Sequence, residues 1–447
     1  MIRLLLTLLA AGLGVLSFPP VHWHPLALVA PLPFLFAIRD AKSGAALGLG
    51  LVYGLALYIG TLNWLLAVFG SFALLLHFIL ALFPALFAGI WSGLRPHLPD
   101  RWWAPLAAAV LWTGIEHFRS EWFALRFAWI TPGTGLPPGF LTPWIGVYGI
   151  TLLIIAGCAC IAFGPRFRLA GTLILLHTCL AAYLPKPPTP PGTLTVAAVQ
   201  SEEMWAPSLL SQSEDLPHVD AIVWPEYGTD ADLRLDTKLS ERLQQLMTAK
   251  SSEIMVIGGR AELDGQRWQN TAFTLGREGV LGTHVKNRPV HFFDDGEPGT
   301  EAPAIPTPLG RIGTPICFDN DYAAVARRAV ANGAEFLLIP SMDAEHWTAR
   351  QHLQHAELFR HRAAENGRWL VVAASSGLTQ AVDPRGRRTA SLPLFKPGTL
   401  VTRISPISTL TPYQRGGWLI GPICTVAAMG MMIAAVGLPR LRGKTGP

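Results

Sequence analysis

Apolar residues are unevenly placed along this chain, and their placement limits the fold before any motif is read. Up to about Leu184 they gather in seven stretches with few charges, each near the roughly 20 residues that a helix needs to cross about 30 Å of hydrocarbon. The stretches are Ile2–Leu16, Pro25–Ile38, Ala45–Phe69, Phe72–Leu94, Ala104–Ile115, Phe140–Phe163 and Leu169–Leu184, and an eighth, Trp418–Leu438, stands alone near the other end. Between the seventh and the eighth, charged residues recur every few positions, as in a soluble domain. Of the 447 residues 50% are hydrophobic and only 15% charged, against about 25% charged in ordinary soluble domains. A single water-soluble enzyme and a disordered chain are both excluded. The expected architecture is a polytopic α-helical membrane bundle of eight spans with an α/β layered domain inserted before the last. In boundaries, this is a seven-span bundle over 1–184, a Pro-rich linker over 185–192, a soluble domain over 193–410 and a final span with a basic tail over 411–447.

Basic residues orient the bundle. Connections on the side of the N-terminus carry Arg3, Arg39, Lys42, Arg95, Arg101, Arg166 and Arg168, and the tail carries Arg440, Arg442 and Lys444. The opposite connections carry only Arg119 and Arg126, interleaved with Glu116 and Glu121. The positive-inside rule then puts both termini in the cytoplasm and the soluble domain outside. The first stretch is expected to be retained, since Pro19-Pro20 and no small-residue cleavage site follows it. The net charge of +5 follows mostly from these arginines and gives no clustered basic face for nucleic acid. Gly48, Gly50 and Gly54 in the third stretch suit close helix approach better than phosphate binding.

Pro185-Lys186-Pro187-Pro188-Thr189-Pro190-Pro191 reads as a stiff extended spacer. Beyond it, strand-like runs are expected at Thr193–Gln200, Ala221–Trp224, Ile254–Gly259, Thr271–Leu275, Ile312–Cys317, Phe336–Pro340, Trp369–Ala374 and Leu400–Ile404. Helical spacing marks Asp232–Ala249, Tyr322–Asn332 and Ala344–Asn366. Alternating strands and helices argue for an α/β layered domain.

Cysteine usage narrows the chemistry. Cys158, Cys160, Cys179 and Cys424 fall in the apolar stretches, where a thiol behaves as a small apolar group; only Cys317 is in the soluble domain. It ends an apolar strand and begins the polar turn Phe318-Asp319-Asn320-Asp321, so it is either buried and inert or kept as a nucleophile. Two further strand-end residues bear on that choice. Glu226 follows Ala221–Trp224 and a proline that stops the strand, and Lys286 lies in a connection, Gly282–Val290, that continues through Phe292-Phe293-Asp294-Asp295-Gly296-Glu297. A thiol needs a base, and a carbonyl under attack needs a cation or donor at the developing oxyanion.

Trp224-Pro225-Glu226, Val285-Lys286-Asn287 and Pro315-Ile316-Cys317-Phe318 are similar to the three catalytic motifs of the carbon–nitrogen hydrolase (nitrilase) superfamily, and Arg362–Arg368 resembles a helix-end motif of the same superfamily. With eight membrane spans around such a domain, the chain resembles the bacterial apolipoprotein N-acyltransferases. Leu62-Asn63-Trp64, Leu111–Trp129 and Leu410-Thr411-Pro412-Tyr413 extend the resemblance to the whole chain. It implies an αββα sandwich, residence in the bacterial inner membrane and a periplasmic catalytic domain. It also implies a two-step acyl transfer from a phospholipid, usually phosphatidylethanolamine, through a cysteine thioester to the α-amino group of a diacylglyceryl N-terminal cysteine on a lipoprotein. By motif, Cys317 would be the nucleophile, Glu226 the general base and Lys286 the oxyanion stabiliser, with the Phe318 backbone N–H as second donor and no cofactor or metal.

The chain departs from the family pattern in places. The usual Pro-Phe-Gly-Glu-like segment is His291–Pro298 here, so the assisting acid is Asp294 by spacing from Lys286 or Glu297 by its Gly-Glu context. Phe318-Asp319 stands for Tyr-Glu and shortens the carboxylate, which also remains an assisting candidate. Ser341-Met342-Asp343-Ala344 replaces an Asn-Asp-Ala-Trp-like run, and Ser375-Ser376-Gly377 an Asn-containing turn. His352, His355 and His361 lack the ligands that would complete a zinc site and read as a solvated or partner-contacting face. His22 and His24 read as interfacial, and Arg385, Arg387 and Arg388 as a solvated turn. Phe292-Phe293 and Trp122-Phe123, Phe127 and Trp129 are candidates for guiding acyl chains. Rival functions are a membrane-tethered amidase, in which water takes the acyl group, a paralogue that acylates another acceptor, and a non-catalytic partner protein.

Overall fold

The computed structural model describes residues 1–98, 103–187, 189–190, 192–203 and 205–442, with side chains to residue 435. Arg101, Pro188, Pro191 and Lys444 lie outside the described residues, as do the side chains of Arg440 and Arg442. The chain divides into two compact units, Met1–Pro185 with Arg415–Pro447, and Lys186–Gln414.

All eight apolar stretches are helical in the first unit, but several are interrupted. Pro25–Ile38 is two short helices, Leu26–Val29 and Pro31–Ile38, split where Pro31 has no N–H to donate. Ala45–Phe69 is a helix over Ser43–Thr61 and a separate turn over Leu65–Phe69; the Leu62 carbonyl left at the break is met by His77 Nε2 at 3.1 Å. Among the described residues four helices are long and apolar enough to cross a membrane: Ser43–Thr61, Phe72–His97, Thr142–Phe163 and Gly417–Ala435. The first two of these touch through glycine. A Cβ on Gly50 would stand 2.5 Å from the Pro84 carbonyl oxygen and one on Gly54 2.6 Å from Ala81 Cα, so both positions are set by backbone contact, whereas Gly48 faces open space.

The helix Trp103–His117 runs on through a wide turn, Phe118–Trp122, and brings charge into the bundle. Glu116 and Glu121 are buried and Arg119 is 2% exposed, donating to Tyr58 Oη and, at 2.9 Å, to the Trp129 carbonyl. Tyr148 Oη donates to Glu121 at 3.0 Å. These residues, expected in a connection on the side opposite the N-terminus, are buried against neighbouring helices. Pairing and hydrogen bonding make this burial of charge tolerable.

Among its described residues the second unit is built on twelve strands: β1 Leu194–Gln200, β2 Ala221–Val223, β3 Ile254–Glu262, β4 Trp268–Gly276, β5 Gly279–Val285, β6 Ile305–Thr307, β7 Gly310–Gly313, β8 Phe336–Pro340, β9 Leu370–Ala373, β10 Gln380–Val382, β11 Arg388–Ser391 and β12 Gly398–Ile404. They form two mixed six-stranded sheets, ordered β12-β1-β2-β3-β4-β5 and β11-β10-β9-β8-β7-β6. Strand alternation divides the side chains. Val196, Ala198, Val223 and Val256 face Ile312, Phe336, Leu338 and Val371 between the sheets. Ala197, Val199, Ile222 and Met255 turn the other way, against Leu209, Leu243 and Met247 of the helices Ala206–Glu214 and Thr237–Lys250. On the second sheet Leu337, Ile339 and Val372 pack against Val325, Ala329, Phe359 and Ala363 of the helices Ala323–Ala331 and Ala349–Asn366. The result is helix, sheet, sheet, helix.

β5, β6, β10 and β11 were not expected, being short or polar, and the strand expected to end at Cys317 stops at Gly313. The spacer is not free-standing. Lys186 Nζ donates to the Arg385 carbonyl at 2.8 Å, Thr189 Oγ1 to Asp383 at 2.6 Å, and Arg387 to Thr189 at 2.8 Å. The turn at Arg385–Arg387 thus grips the linker, and Arg388 leaves it to open β11 and bond Glu357 at 2.9 Å, so the solvated-turn reading is corrected.

Candidate active site

Strand ends of both sheets deliver the reactive side chains. Glu226 follows β2 after Pro225, Lys286 follows β5 directly, Cys317 opens the tight turn Cys317–Asp321 after β7, and Met342 follows β8. Glu226 needs room behind it, which Gly258 supplies: a Cβ there would come 2.5 Å from Glu226 Cα. Cys317 sits in the left-handed region at φ 43°, a conformation that costs a non-glycine residue about 1–3 kcal/mol and persists only when the surroundings impose it.

The four residues line one cavity of about 370 Å³, together with Tyr227, Val290, Asp294, Asp295, Phe293 and Trp347. Lys286 Nζ lies 2.7 Å from Glu226 Oε1 and 2.7 Å from Asp295 Oδ2. Asn270 Nδ2 bridges the same carboxylates, 2.7 Å from each, and Tyr227 Oη donates to Asp295. The Val290 backbone N–H also donates to Asp295, at 2.7 Å. Cys317 Sγ donates to the Met342 carbonyl at 3.4 Å.

The electrostatics follow from burial and pairing. Burial disfavours charge on Lys286, but Glu226 and Asp295 override it and hold the ammonium well above the usual lysine range. Burial pushes Glu226 up, with Lys286 pulling against it. Burial opposes charge on Asp295, but Lys286 and the hydrogen bonds keep it below the usual carboxylate range. The Cys317 thiol is raised well above its ordinary value by burial and by Glu226. A neutral thiol, a carboxylate ready to accept a proton and a fixed cation therefore share one cavity, each on a buried side chain.

The residues named from sequence part company here. Glu226, Lys286 and Cys317 come together. The acid against Lys286 is Asp295, and neither expected candidate takes that place. Gly296 turns back at φ 75°, bridged to Gln269, which points Asp295 inward; Asp294 is left exposed at the cavity rim and Glu297 reaches Arg267 at 3.4 Å. Phe318 and Asp319 are not among the lining residues. Asp319 is fully buried and accepts from His284 Nε2 at 2.8 Å and from the backbone N–H groups of Asn287 at 2.9 Å, Arg288 at 2.8 Å and Ile316 at 3.1 Å. It ties the cysteine turn to the lysine strand instead of meeting the cavity. Asn270 and Tyr227 were missed, although an Asn at the head of an apolar strand is a readable signal. His352, His355 and His361 are buried, so the solvated-face reading is corrected too. Among the described residues no group of His, Cys, Asp and Glu is placed to hold a metal ion.

Comparison with known proteins adds the membrane part to this picture. Residues 10–160 match the apolipoprotein N-acyltransferase N-terminal domain, and residues 208–411 match carbon-nitrogen hydrolase. The apolipoprotein N-acyltransferase of Azotobacter vinelandii is 29% identical over 95% of this chain and 93% of its own length. That of Pseudomonas syringae pv. tomato is 28% identical over 96% of each. This chain belongs to the apolipoprotein N-acyltransferase family. It is an acyltransferase of the carbon–nitrogen hydrolase superfamily and a bacterial membrane protein. Among solved structures, a carbon-nitrogen hydrolase from Helicobacter pylori G27 covers 52% of this chain and 92% of its own, with 16% identity and a TM-score of 0.41.

Proposed function

We propose that the chain acylates lipoproteins in two steps at Cys317, with a phospholipid, phosphatidylethanolamine first among candidates, as donor. In the first step Glu226 takes the thiol proton as sulfur attacks an ester carbonyl of the donor. Lys286 and the Phe318 backbone N–H meet the oxyanion, and the lyso-phospholipid leaves with the proton from Glu226. In the second, the α-amine of a diacylglyceryl N-terminal cysteine attacks the thioester and gives its proton to Glu226. The amide forms and the thiol is restored. Asp295 keeps Lys286 charged throughout.

The observation that carries this reading is one cavity lined by buried thiol, carboxylate and ammonium in a chain whose N-terminal apolar helices match the same family. A soluble amide substrate would make those helices unnecessary. Phe292 and Phe293, exposed in the segment after Lys286, suit the guiding of acyl chains towards the cavity. For topology, the reading is eight crossings, both termini cytoplasmic and Lys186–Gln414 periplasmic, supported by the placement of arginine and lysine in the connections.

The test is a transfer assay in mixed micelles of phosphatidylethanolamine and a synthetic diacylglyceryl-cysteinyl peptide. The expected result is a peptide mass gain of one acyl group on the α-amine, lost with Cys317→Ala. Free fatty acid released with no gain on the peptide would contradict transfer and favour a tethered amidase.

A further inference from the structure

The helix Ala349–Asn366 carries a buried histidine that none of these steps uses. His355 stands between two carboxylates, with Nδ1 2.8 Å from Asp343 Oδ1 and Nε2 3.2 Å from Asp321 Oδ1. All three side chains are buried. The carboxylates belong to the two segments that frame the nucleophile. Asp321 closes the turn that Cys317 opens, and Asp343 follows Met342, whose carbonyl accepts the thiol. Asp343 is held further by Gln351 Nε2 at 2.9 Å, and Ser375 Oγ binds its backbone carbonyl at 3.0 Å.

Nδ1 makes a hydrogen bond with Asp343 and Nε2 an ion-pair contact with Asp321; a neutral imidazole has one N–H and can serve only one of these carboxylates, whereas an imidazolium presents an N–H and a positive charge to both. Two buried anions without a cation between them would repel each other and lack solvation. Burial opposes the charge on His355, yet Asp343 and Asp321 raise it to about 10. Burial likewise opposes ionisation of Asp343, and His355 still brings it down to about 2. The other ionisable groups bearing on this cluster are His352, on the same helix, and Glu202, which acts on His352. Asp343 also acts on the Cys317 thiol, raising it, after burial and Glu226.

We propose that His355 is a positioning residue for the chemistry at Cys317: as an imidazolium it locks the cysteine turn to the segment carrying Met342 and cancels the Asp343 charge that opposes thiolate formation. The proposal deepens the acyl-transfer reading and rests on it for the role of Cys317. Without His355, the segment carrying Met342 loses its tie to the cysteine turn, keeping only Gln351 and Ser375, and the nucleophile faces an uncompensated carboxylate.

The experiment follows iodoacetamide alkylation of Cys317 against pH in the full-length protein in detergent, without lipid, by peptide mass spectrometry. His355→Gln is expected to move the midpoint up by about one pH unit, slowing alkylation about tenfold below it. The double variant Asp343→Asn/His355→Gln is expected to restore most of the shift. A folded His355→Gln protein with the wild-type midpoint overturns the proposal, as does a double variant shifted as far as the single. Should His355→Gln fail to fold, Asp343→Asn decides: removing the anion is expected to lower the midpoint, and an unchanged or raised midpoint overturns the proposal. Because no lipid is present, failure of phosphatidylethanolamine to acylate Cys317 would sink the acyl-transfer reading without moving these midpoints.

Discussion

The buried clusters around Arg119 and Lys286 each set a cation near carboxylate, and they differ in what else reaches them. In the first unit Arg119 is closed in by Tyr58 and the Trp129 carbonyl, with Glu116 nearby, around a cavity of about 50 Å³. In the second, Lys286 lies between Glu226 and Asp295 at the wall of a cavity of about 370 Å³ that also holds a thiol. The smaller space has room for little more than water. Buried charge by itself therefore marks neither site as catalytic; a nucleophile and space for a substrate do. Pairing makes the charge tolerable in both places, because breaking a buried pair leaves an uncompensated ion.

The comparison breaks first at the thiol. Cys317→Ala should abolish acyl transfer, a loss of at least about 10³-fold, while thermal unfolding stays near wild type; single-turnover acylation and a melting curve read the two quantities. Lys286→Met should cost about 10²–10³-fold in acylation through the lost oxyanion partner. At the other cluster, Arg119→Gln should lower the melting temperature by several degrees, since it leaves buried carbonyl and hydroxyl partners unmet. It should leave the iodoacetamide rate at Cys317 within about twofold, and a tenfold fall in that rate would show that the bundle cluster serves the chemistry.

Within the second cluster the acids should separate. Asp295→Asn is expected to lower acylation by roughly 10²-fold, and Asp294→Asn and Glu297→Gln by less than about threefold; steady-state rates for the three variants settle the order. The pH profile should be gentler in effect. Glu226 must be ionised to take the thiol proton, and burial raises it above the ordinary 4.5, so acylation should be lost as pH falls, with the midpoint of that acid limb above 4.5. A limb at or below 4.5 would mean another group is the base.

Much of this was legible in the chain and some was not, for identifiable reasons. Glu226 and Cys317 stand where apolar runs meet a proline or a polar turn, a local signal. Asp295 was hidden because counting from Lys286 stops at Asp294, while the turn at Gly296 and its bridge to Gln269 shift the inward position by one residue. His355 was read as solvated because its partners, Asp321 and Asp343, lie on other elements and only the folded sheet brings them to it. The burial of Arg119 is hidden for a similar reason: Tyr58 belongs to a different helix, and no local pattern records that contact. The two-sheet core was largely visible, since β1, β3, β8 and β9 are apolar on both faces, whereas β10 and β11 are too short to announce themselves.

The most direct test is intact and peptide mass spectrometry of the purified protein after mixing with phosphatidylethanolamine. The account predicts a hydroxylamine-labile acyl adduct on Cys317 that disappears when a diacylglyceryl-cysteinyl peptide is added, with the same mass appearing on the peptide. An unmodified Cys317 across several phospholipids, in a preparation that hydrolyses small amides, would contradict it.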